Sequence, residues 1–257
     1  MVTRGDMART RLSIDQFKRQ TYESRELVVV CDRIDEDLKT LIRQSGDDVR
    51  LIAVGRGLTL GELRNISVQE ARGDIVCQWD DDDLYATKRI EHGVGAMLQA
   101  SADALFLRQL FIWWPAQLVL SLTGSRIWEG SMIAFKRAVG SYPALARDED
   151  TMMVDAMVRT SAIAVLDDPL SYCYCVHGQN TWSDGHMQRI VDGSRLRFEY
   201  GAALAAFSSN FDFEGHPAFG GTIGVIAGGE SVRSGSQARQ LGRYLAFNQL
   251  MRRIKRT

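Results

Sequence analysis

Four consecutive aspartates, Asp80, Asp81, Asp82 and Asp83, follow directly on the run Ile75-Val76-Cys77-Gln78-Trp79. Bounded by Gly73-Asp74, the run reads as a buried β-strand. Adjacent carboxylates repel, so crowding four of them gains nothing unless positive charge sits among them. Open α/β sheets place ligands at the C-terminal ends of their strands. Hard oxygen donors there suit Mg²⁺ or Mn²⁺, an ion commonly shared with a phosphate-bearing substrate. A metal–diphosphate site is one reading of the four aspartates. An acidic loop that caps the next helix is the other, and the aspartates alone do not separate the two.

The flanking pattern sets the fold class. Residues 26–31, Glu-Leu-Val-Val-Val-Cys, form a continuous apolar run of a kind buried on both faces. Residues 49–54 and 75–79 are further strands, and helices are expected over 8–20, 36–44, 60–71 and 87–100. Short alternating strands and helices predict an α/β fold, a mostly parallel central sheet with helices on both faces. Strands are expected at 104–107, 111–114, 130–135, 162–166 and 171–176, and helices at 148–159 and 187–206. Residues 207–230 are rich in Gly and Ser and read as a linker. Residues 231–257 form a C-terminal helical extension, with a basic amphipathic helix over 237–254.

The net charge of −1 over 257 residues favours neither nucleic acid nor an anionic membrane, so no nucleic-acid partner is expected. Charge is unevenly placed, however. After Glu230 no acidic residue occurs, while Arg233, Arg239, Arg243, Arg252, Arg253, Lys255 and Arg256 are basic. Such a helix can touch an anionic membrane surface or an acidic acceptor; a solvated helix packed on the domain is the plainer reading. Cys31, Cys77, Cys173 and Cys175 match no zinc spacing and read as reduced thiols. Residues 1–20 are charged throughout, with no apolar leader. The longest apolar stretch, 104–122, is broken by Arg108, Gln109, Pro115 and Gln117. A cytoplasmic location follows as the expectation, with peripheral membrane contact through the basic helix as its variant.

Several short motifs fall in one order: Gln20-Thr21-Tyr22, the run 26–31 ending in Asp32, Leu63-Arg64-Asn65, Ala71-Arg72-Gly73-Asp74, and the four aspartates. Later come Trp128-Glu129-Gly130-Ser131, Glu149-Asp150, and His177-Gly178-Gln179-Asn180-Thr181-Trp182. This succession resembles the family 2 glycosyltransferases, which have the GT-A fold, over roughly residues 3–185. The resemblance implies a domain at 1–206, with a nucleotide-binding half at about 1–100 and an acceptor half at about 101–206. It implies an inverting hexosyltransferase-type enzyme that takes a sugar from a nucleotide-diphosphate donor, UDP-linked by expectation, to an unknown hydroxyl acceptor on a glycan, a lipid-linked molecule or a protein.

Residue by residue, the resemblance makes Asp82 the direct ligand of Mn²⁺ or Mg²⁺, with Asp80 as the other member of the D-x-D pair. In an extended segment these two side chains share a face, leaving Asp81 for the ribose and Asp83 as cap of the following helix. Asp32 stands where the family reads the uracil edge, and Arg64 where it places a cation near the donor base and phosphates. Asp150, in the pair with Glu149, is the expected general base. Trp128, Glu129 and Gly130 are expected to line the sugar and acceptor cleft. His177 is expected as a further metal ligand, with a structural histidine as the alternative. Each role has a bland counterpart: a loop residue for Asp32, a solvated helix arginine for Arg64, favourable helix N-terminal charge for Glu149 and Asp150.

One departure stands out. The family opens with a buried strand and a Pro/Thr-containing loop, whereas Met1-Val2-Thr3-Arg4 stands almost at the end of that element, with Thr3 and Arg4 as its loop. Most of the first strand is missing, which would leave backbone groups of its neighbours unpaired. Two alternatives to the enzyme remain: a non-catalytic nucleotide-sugar-binding module, and a nucleotidyltransferase. The latter usually carries a Gly-rich basic loop, which residues 1–10 lack.

Overall fold

The structure is a computed structural model that describes residues 1–199. The expected linker at 207–230, the expected basic helix and the end of the expected helix at 187–206 lie outside the described residues. The first unit runs β1 (Val2–Thr3), α1 (Met7–Lys18), β2 (Leu27–Cys31), α2 (Glu36–Gln44), β3 (Val49–Ala53) and α3 (Leu60–Glu70). Its strands pair in parallel in the order β1-β2-β3. All five residues of β2 are buried. Successive strand side chains point to opposite faces. Val28 and Val30 accordingly pack on one side with Leu63 of α3, while Leu27, Val29 and Cys31 join the cluster of Ile14, Phe17 and Leu38 on the other. A run buried on both faces is therefore apolar at every position.

The chain continues through β4 (Ile75–Cys77), β5 (Leu84–Tyr85), α4 (Arg89–Gln99), β6 (Ala104–Leu107), β7 (Phe111–Trp114), β8 (Val119–Leu122), β9 (Trp128–Phe135) and α5 (Glu149–Thr160). It ends with β10 (Ile163–Leu166), β11 (Tyr172–Cys175), α6 (Asp184–Asp192) and β12 (Leu196–Glu199). One sheet has the order β10-β6-β9-β4 and another β12-β8-β7-β11-β5. Both are mixed: β10–β6 and β11–β7 are parallel, and the remaining pairs are antiparallel. Parallel pairing thus holds throughout the first sheet, and antiparallel pairs enter beyond it.

Three expectations change. To the strands expected at 104–107 and 111–114, which are β6 and β7, the structure adds β8, since Pro115 and the left-handed Leu118 turn the chain back between β7 and β8. The helix expected over 187–206 stops at Asp192, where Gly193 ends it and residues 196–199 pair with β8. The four aspartates form a turn rather than an extended segment, and the N-cap of α4 is Lys88, not Asp83.

A close approach on α3 sets up the site. A side-chain carbon on Gly61 would lie 1.9 Å from the Pro143 carbonyl oxygen, so only glycine allows the helix this near. Asn65 clamps the contact from both ends. Its Nδ2 donates to the Tyr142 carbonyl, and its Oδ1 accepts from the Tyr142 N–H, each at 2.8 Å. Residues 141–143 lead into α5, so α3 and α5 are held together where Arg64 and Glu149 face each other.

Candidate functional site

One cavity of about 420 Å³ gathers residues from most of the chain. The acidic turn, the end of β1 with Thr3 and Arg4, Arg64, the segment Trp128-Glu129-Gly130, and Glu149 with Asp150 all line it. Asp32 does not line this cavity; it sits past the end of β2, 4.0 Å from the Arg33 Nε. His177 is absent from the lining as well but is tied to it through Asp82.

The turn is anchored from below by aromatic rings. Trp79 and Tyr85 lie 4.0 Å apart between centroids, and Tyr85 and Tyr172 stack at 5.2 Å. The buried Arg89 guanidinium sits over Tyr85 at 4.6 Å and donates to the Gln78 carbonyl. The Tyr85 hydroxyl accepts from the Asp80 N–H at 2.8 Å. Asp83 is buried and accepts from the Tyr172 hydroxyl at 2.5 Å and from the Cys175 N–H at 2.8 Å. Asp83 therefore ties the turn to β11 and faces the interior, which is why it caps no helix.

The aspartates differ in electrostatics. Burial works against the Asp80 carboxylate, but Arg64 outweighs it and holds the group below the ordinary range. Asp81 is pushed up to about 7, first by burial and then by Asp82, although the Thr3 hydroxyl donates to it. Burial, then Asp82 and Asp80, push Asp83 well above the ordinary carboxylate range. Two of the four carboxyls thus bind protons far more readily than exposed aspartates do. Burial, then the charge of neighbouring carboxylates, both favour the protonated form.

Arg64 links the turn to α5. Its Nη1 donates to Asp80 Oδ1 at 3.0 Å and its Nε to Glu149 Oε1 at 2.9 Å. The guanidinium expected at the donor base is committed to two carboxylates. Glu149 is buried, and burial raises it above the ordinary range despite Arg64. Asp150 is half-buried on the cavity wall, and its Oδ1 accepts from the Thr151 N–H. Of the expected pair, Glu149 is held by an arginine and Asp150 faces the cavity. Glu129 is also raised by burial, and it pairs with Arg126 at 3.0 Å. The Arg126 guanidinium in turn stacks on Trp128 at 4.0 Å.

His177 is held through both ring nitrogens. Arg9 Nη2 stands 3.0 Å from its Nδ1, and the Gln179 N–H donates to the same nitrogen. Guanidinium has only donors, so Nδ1 accepts. Nε2 stands 2.8 Å from Asp82 Oδ2 and 3.1 Å from the Asn180 Nδ2. Asp82 and His177 form an oxygen–nitrogen donor pair of a kind suited to Mn²⁺. Arg9 Nη2 also donates to Gln179 Oε1 at 3.0 Å. Among the described residues no group of three or more His, Cys, Asp or Glu converges for a metal. Substrate phosphate or water oxygens would therefore complete the shell, as is common for Mg²⁺ and Mn²⁺.

Reading the sequence misses Arg9, Arg126 and Tyr172. Arg9 lies 168 residues from His177, and its helix position resembles that of any solvated arginine.

Residues 6–112 match the family described as glycosyl transferase family 2. No curated protein matches the chain. Among solved structures, Staphylococcus aureus TarS 1-349 in complex with UDP-GlcNAc superposes with a TM-score of 0.59 at 15% identity, over 70% of this chain and 58% of that one. The longer TarS chain gives 0.54 at 18% identity, over 69% of this chain and 36% of its own length. Glucosyl-3-phosphoglycerate synthase from Mycobacterium tuberculosis, in complex with Mn²⁺, UDP and glucosyl-3-phosphoglycerate, gives 0.51 at 16% identity over 74% of each chain. The chain thus spans 36% of the longer TarS chain and 58% of the shorter one. Its fold is that of the GT-A glycosyltransferases.

Proposed function

We propose that this chain, whose residues 6–112 carry the glycosyl transferase family 2 sequence pattern in a GT-A fold, moves a sugar from a nucleotide-diphosphate donor to a hydroxyl acceptor with inversion. The observation that carries the reading is one cavity with an acidic turn on one wall and Asp150 on another. The donor assignment draws on the UDP-GlcNAc and UDP·Mn²⁺ complexes of the structural neighbours.

Asp82 and His177 would hold the divalent ion, which supplies positive charge to the departing diphosphate. Arg4 and Arg9 line the same wall and add donors for phosphate oxygens. Asp80 is bound to Arg64, so its role is to keep the turn in place. Asp81 neighbours Thr3 at the end of β1, a position suited to the ribose, and Asp32 would read the base from outside the cavity. Trp128, with Glu129 and Gly130, presents an indole edge and a polar rim to the sugar and acceptor. Asp150 accepts the acceptor hydroxyl's proton as that oxygen attacks the anomeric carbon and the bond to the diphosphate breaks. A single displacement of this kind inverts the anomeric centre and needs no enzyme nucleophile.

UDP release from a panel of UDP- and GDP-sugars, with Mn²⁺ and a mixed acceptor pool, tests the reading. Turnover that Asp150→Asn abolishes while donor binding persists is the expected result. Donor binding without turnover, unaltered by Asp150→Asn, would identify a binding module instead. Turnover with nucleoside triphosphate and sugar phosphate would identify a nucleotidyltransferase.

A further inference from the structure

Arg126 lies outside the strands, in the connection 123–127 between β8 and β9. Its backbone N–H donates to the Arg108 carbonyl at 3.0 Å, which fixes this connection against the turn between β6 and β7. Its guanidinium lies over the Trp128 ring at 4.0 Å, and its Nη2 pairs with Glu129 Oε2 at 3.0 Å. The Trp128 indole N–H donates back to the Gly124 carbonyl at 3.3 Å. One planar cation therefore meets an aromatic face and a carboxylate at once, a combination that suits arginine and not lysine.

Glu129 passes this hold on to the helix that carries Asp150. Its Oε1 stands 3.5 Å from the Thr151 hydroxyl, and the Thr151 N–H donates to Asp150 Oδ1 at 2.8 Å. Arg126, Trp128, Glu129, Asp150 and Thr151 all line the same cavity. Burial, reinforced by the Asp150 charge and opposed by Arg126, raises Glu129 above the ordinary carboxylate range. Glu129 and Asp150 thus share one wall, and Arg126 is the cation paired with the first of them. The acidic turn is held by other groups. Arg64 and Tyr85 bond to Asp80, Tyr172 to Asp83 and His177 to Asp82. Removing the Arg126 side chain leaves those contacts in place.

We propose that Arg126 is a positioning residue of the acceptor wall, holding Glu129 and the Trp128 ring in the orientation that presents an acceptor hydroxyl to Asp150. The inference rests on the transferase reading above and adds a residue to it. Without the guanidinium, Glu129 has lost its cation beside a like charge and turns away from Asp150. The face of Trp128 that the guanidinium covered is left bare. The acceptor is then held askew, and a misplacement of about 1 Å costs on the order of 100-fold in rate. The donor end of the cavity keeps its affinity. The Arg126 side chain is 52% exposed, so its ion pair contributes little to stability, and its loss leaves the chain folded.

The test compares the full chain in its native form with Arg126→Met, Arg126→Lys, Glu129→Gln and the double variant of Arg126→Met with Glu129→Gln. UDP with Mn²⁺ is titrated by calorimetry. UDP release from the panel of UDP- and GDP-sugars is followed without acceptor and with the mixed acceptor pool. For Arg126→Met the expected result is an unchanged UDP titration, unchanged release to water, and a loss of roughly 10- to 100-fold in acceptor-dependent release. Arg126→Lys recovers part of that loss, because an ammonium can pair with Glu129 but cannot also stack on Trp128. The double variant loses no more than the worse of its two single changes, since both act on one contact. Acceptor-dependent release that Arg126→Met leaves unchanged would overturn the proposal. Losses that sum in the double variant would overturn it too, because Arg126 would then act independently of Glu129. A weakened UDP titration would instead place Arg126 at the donor and overturn it. A native chain without acceptor-dependent release, or an Asp150→Asn chain that retains it, refutes the transferase reading itself and this inference with it.

Discussion

Replacing Arg64 with Met keeps the apolar stem and removes the charge between Asp80 and Glu149. Both contacts are near 3 Å, and Arg64 and the Glu149 side chain are shielded from solvent. Removing one partner of a buried ion pair costs about 3–5 kcal/mol, because the other charge is left uncompensated. A domain of this size shifts its thermal midpoint by roughly 2–4 °C per kcal/mol, so Arg64→Met lowers the midpoint by roughly 6–20 °C at pH 7. The pH dependence carries the sharper test. In the native protein Asp80 is held below its unfolded value, so its contribution is present above the ordinary carboxylate range and is lost as pH falls through the lowered value. In the variant, burial acts on Asp80 and Glu149 without Arg64 to oppose it, and both shift upward. The folded variant then binds more protons than the unfolded chain near neutrality, and its stability rises as pH falls from 7 to 5. Adding Glu149→Gln to Arg64→Met removes one stranded carboxylate and recovers part of the loss. Circular-dichroism melts of the single variants and the double variant at pH 5, 6, 7 and 8 measure this. A midpoint for Arg64→Met within 2 °C of the native chain, with the same pH dependence as the native chain, would refute the view of Arg64 as the strut between the turn and α5.

Other expectations follow from the same geometry. Gly61→Ala forces the backbone at Pro143 to move and destabilises by about 1–3 kcal/mol, read by chemical denaturation. Gly93→Ala meets only the end of the Ile133 side chain at 2.2 Å, which can rotate, so its cost is smaller; equal costs would contradict the packing argument. The Met1 amine is lowered to about 6 from an ordinary 8.0. The unfolded chain therefore binds its proton more tightly, and stability rises between pH 6 and 8 by about 2–3 kcal/mol. Asp81, raised to about 7, acts in the opposite direction. The amine's share is thus read as the difference between the native chain and one preceded by Gly-Ser-Gly-Ser, in which Asp81 cancels. Asp82→Ala abolishes the heat of Mn²⁺ binding in the presence of UDP, as followed by calorimetry, and unchanged heat would remove Asp82 from the metal.

Much of the site was legible along the chain. Local rules place strand ends, helix starts and charge clusters, so the acidic turn after β4 and the Glu149-Asp150 pair at the head of α5 could be named from residue order. Their common cavity was not visible, because it needs α3 to approach Pro143 at Gly61. The aspartates were expected to extend, yet Tyr85, Tyr172 and the Cys175 backbone fold them into a turn, using partners as many as 92 residues away. Arg64 illustrates the same limit: its position on a helix was readable, but its two carboxylate partners lie 16 and 85 residues away. The helix expected over 187–206 failed because Leu196-Arg197-Phe198-Glu199 finds an open edge on β8, and pairing outweighs local propensity.

Amino-acid order alone decided the alternation of buried strands and helices and the chemistry present at each strand end, because burial and backbone geometry repeat with short periods. Which carboxylate keeps its proton, which faces the cavity and which is locked by an arginine were decided only by the packed molecule. Those properties depend on distance and dielectric between residues far apart in the chain, and sequence carries no measure of either.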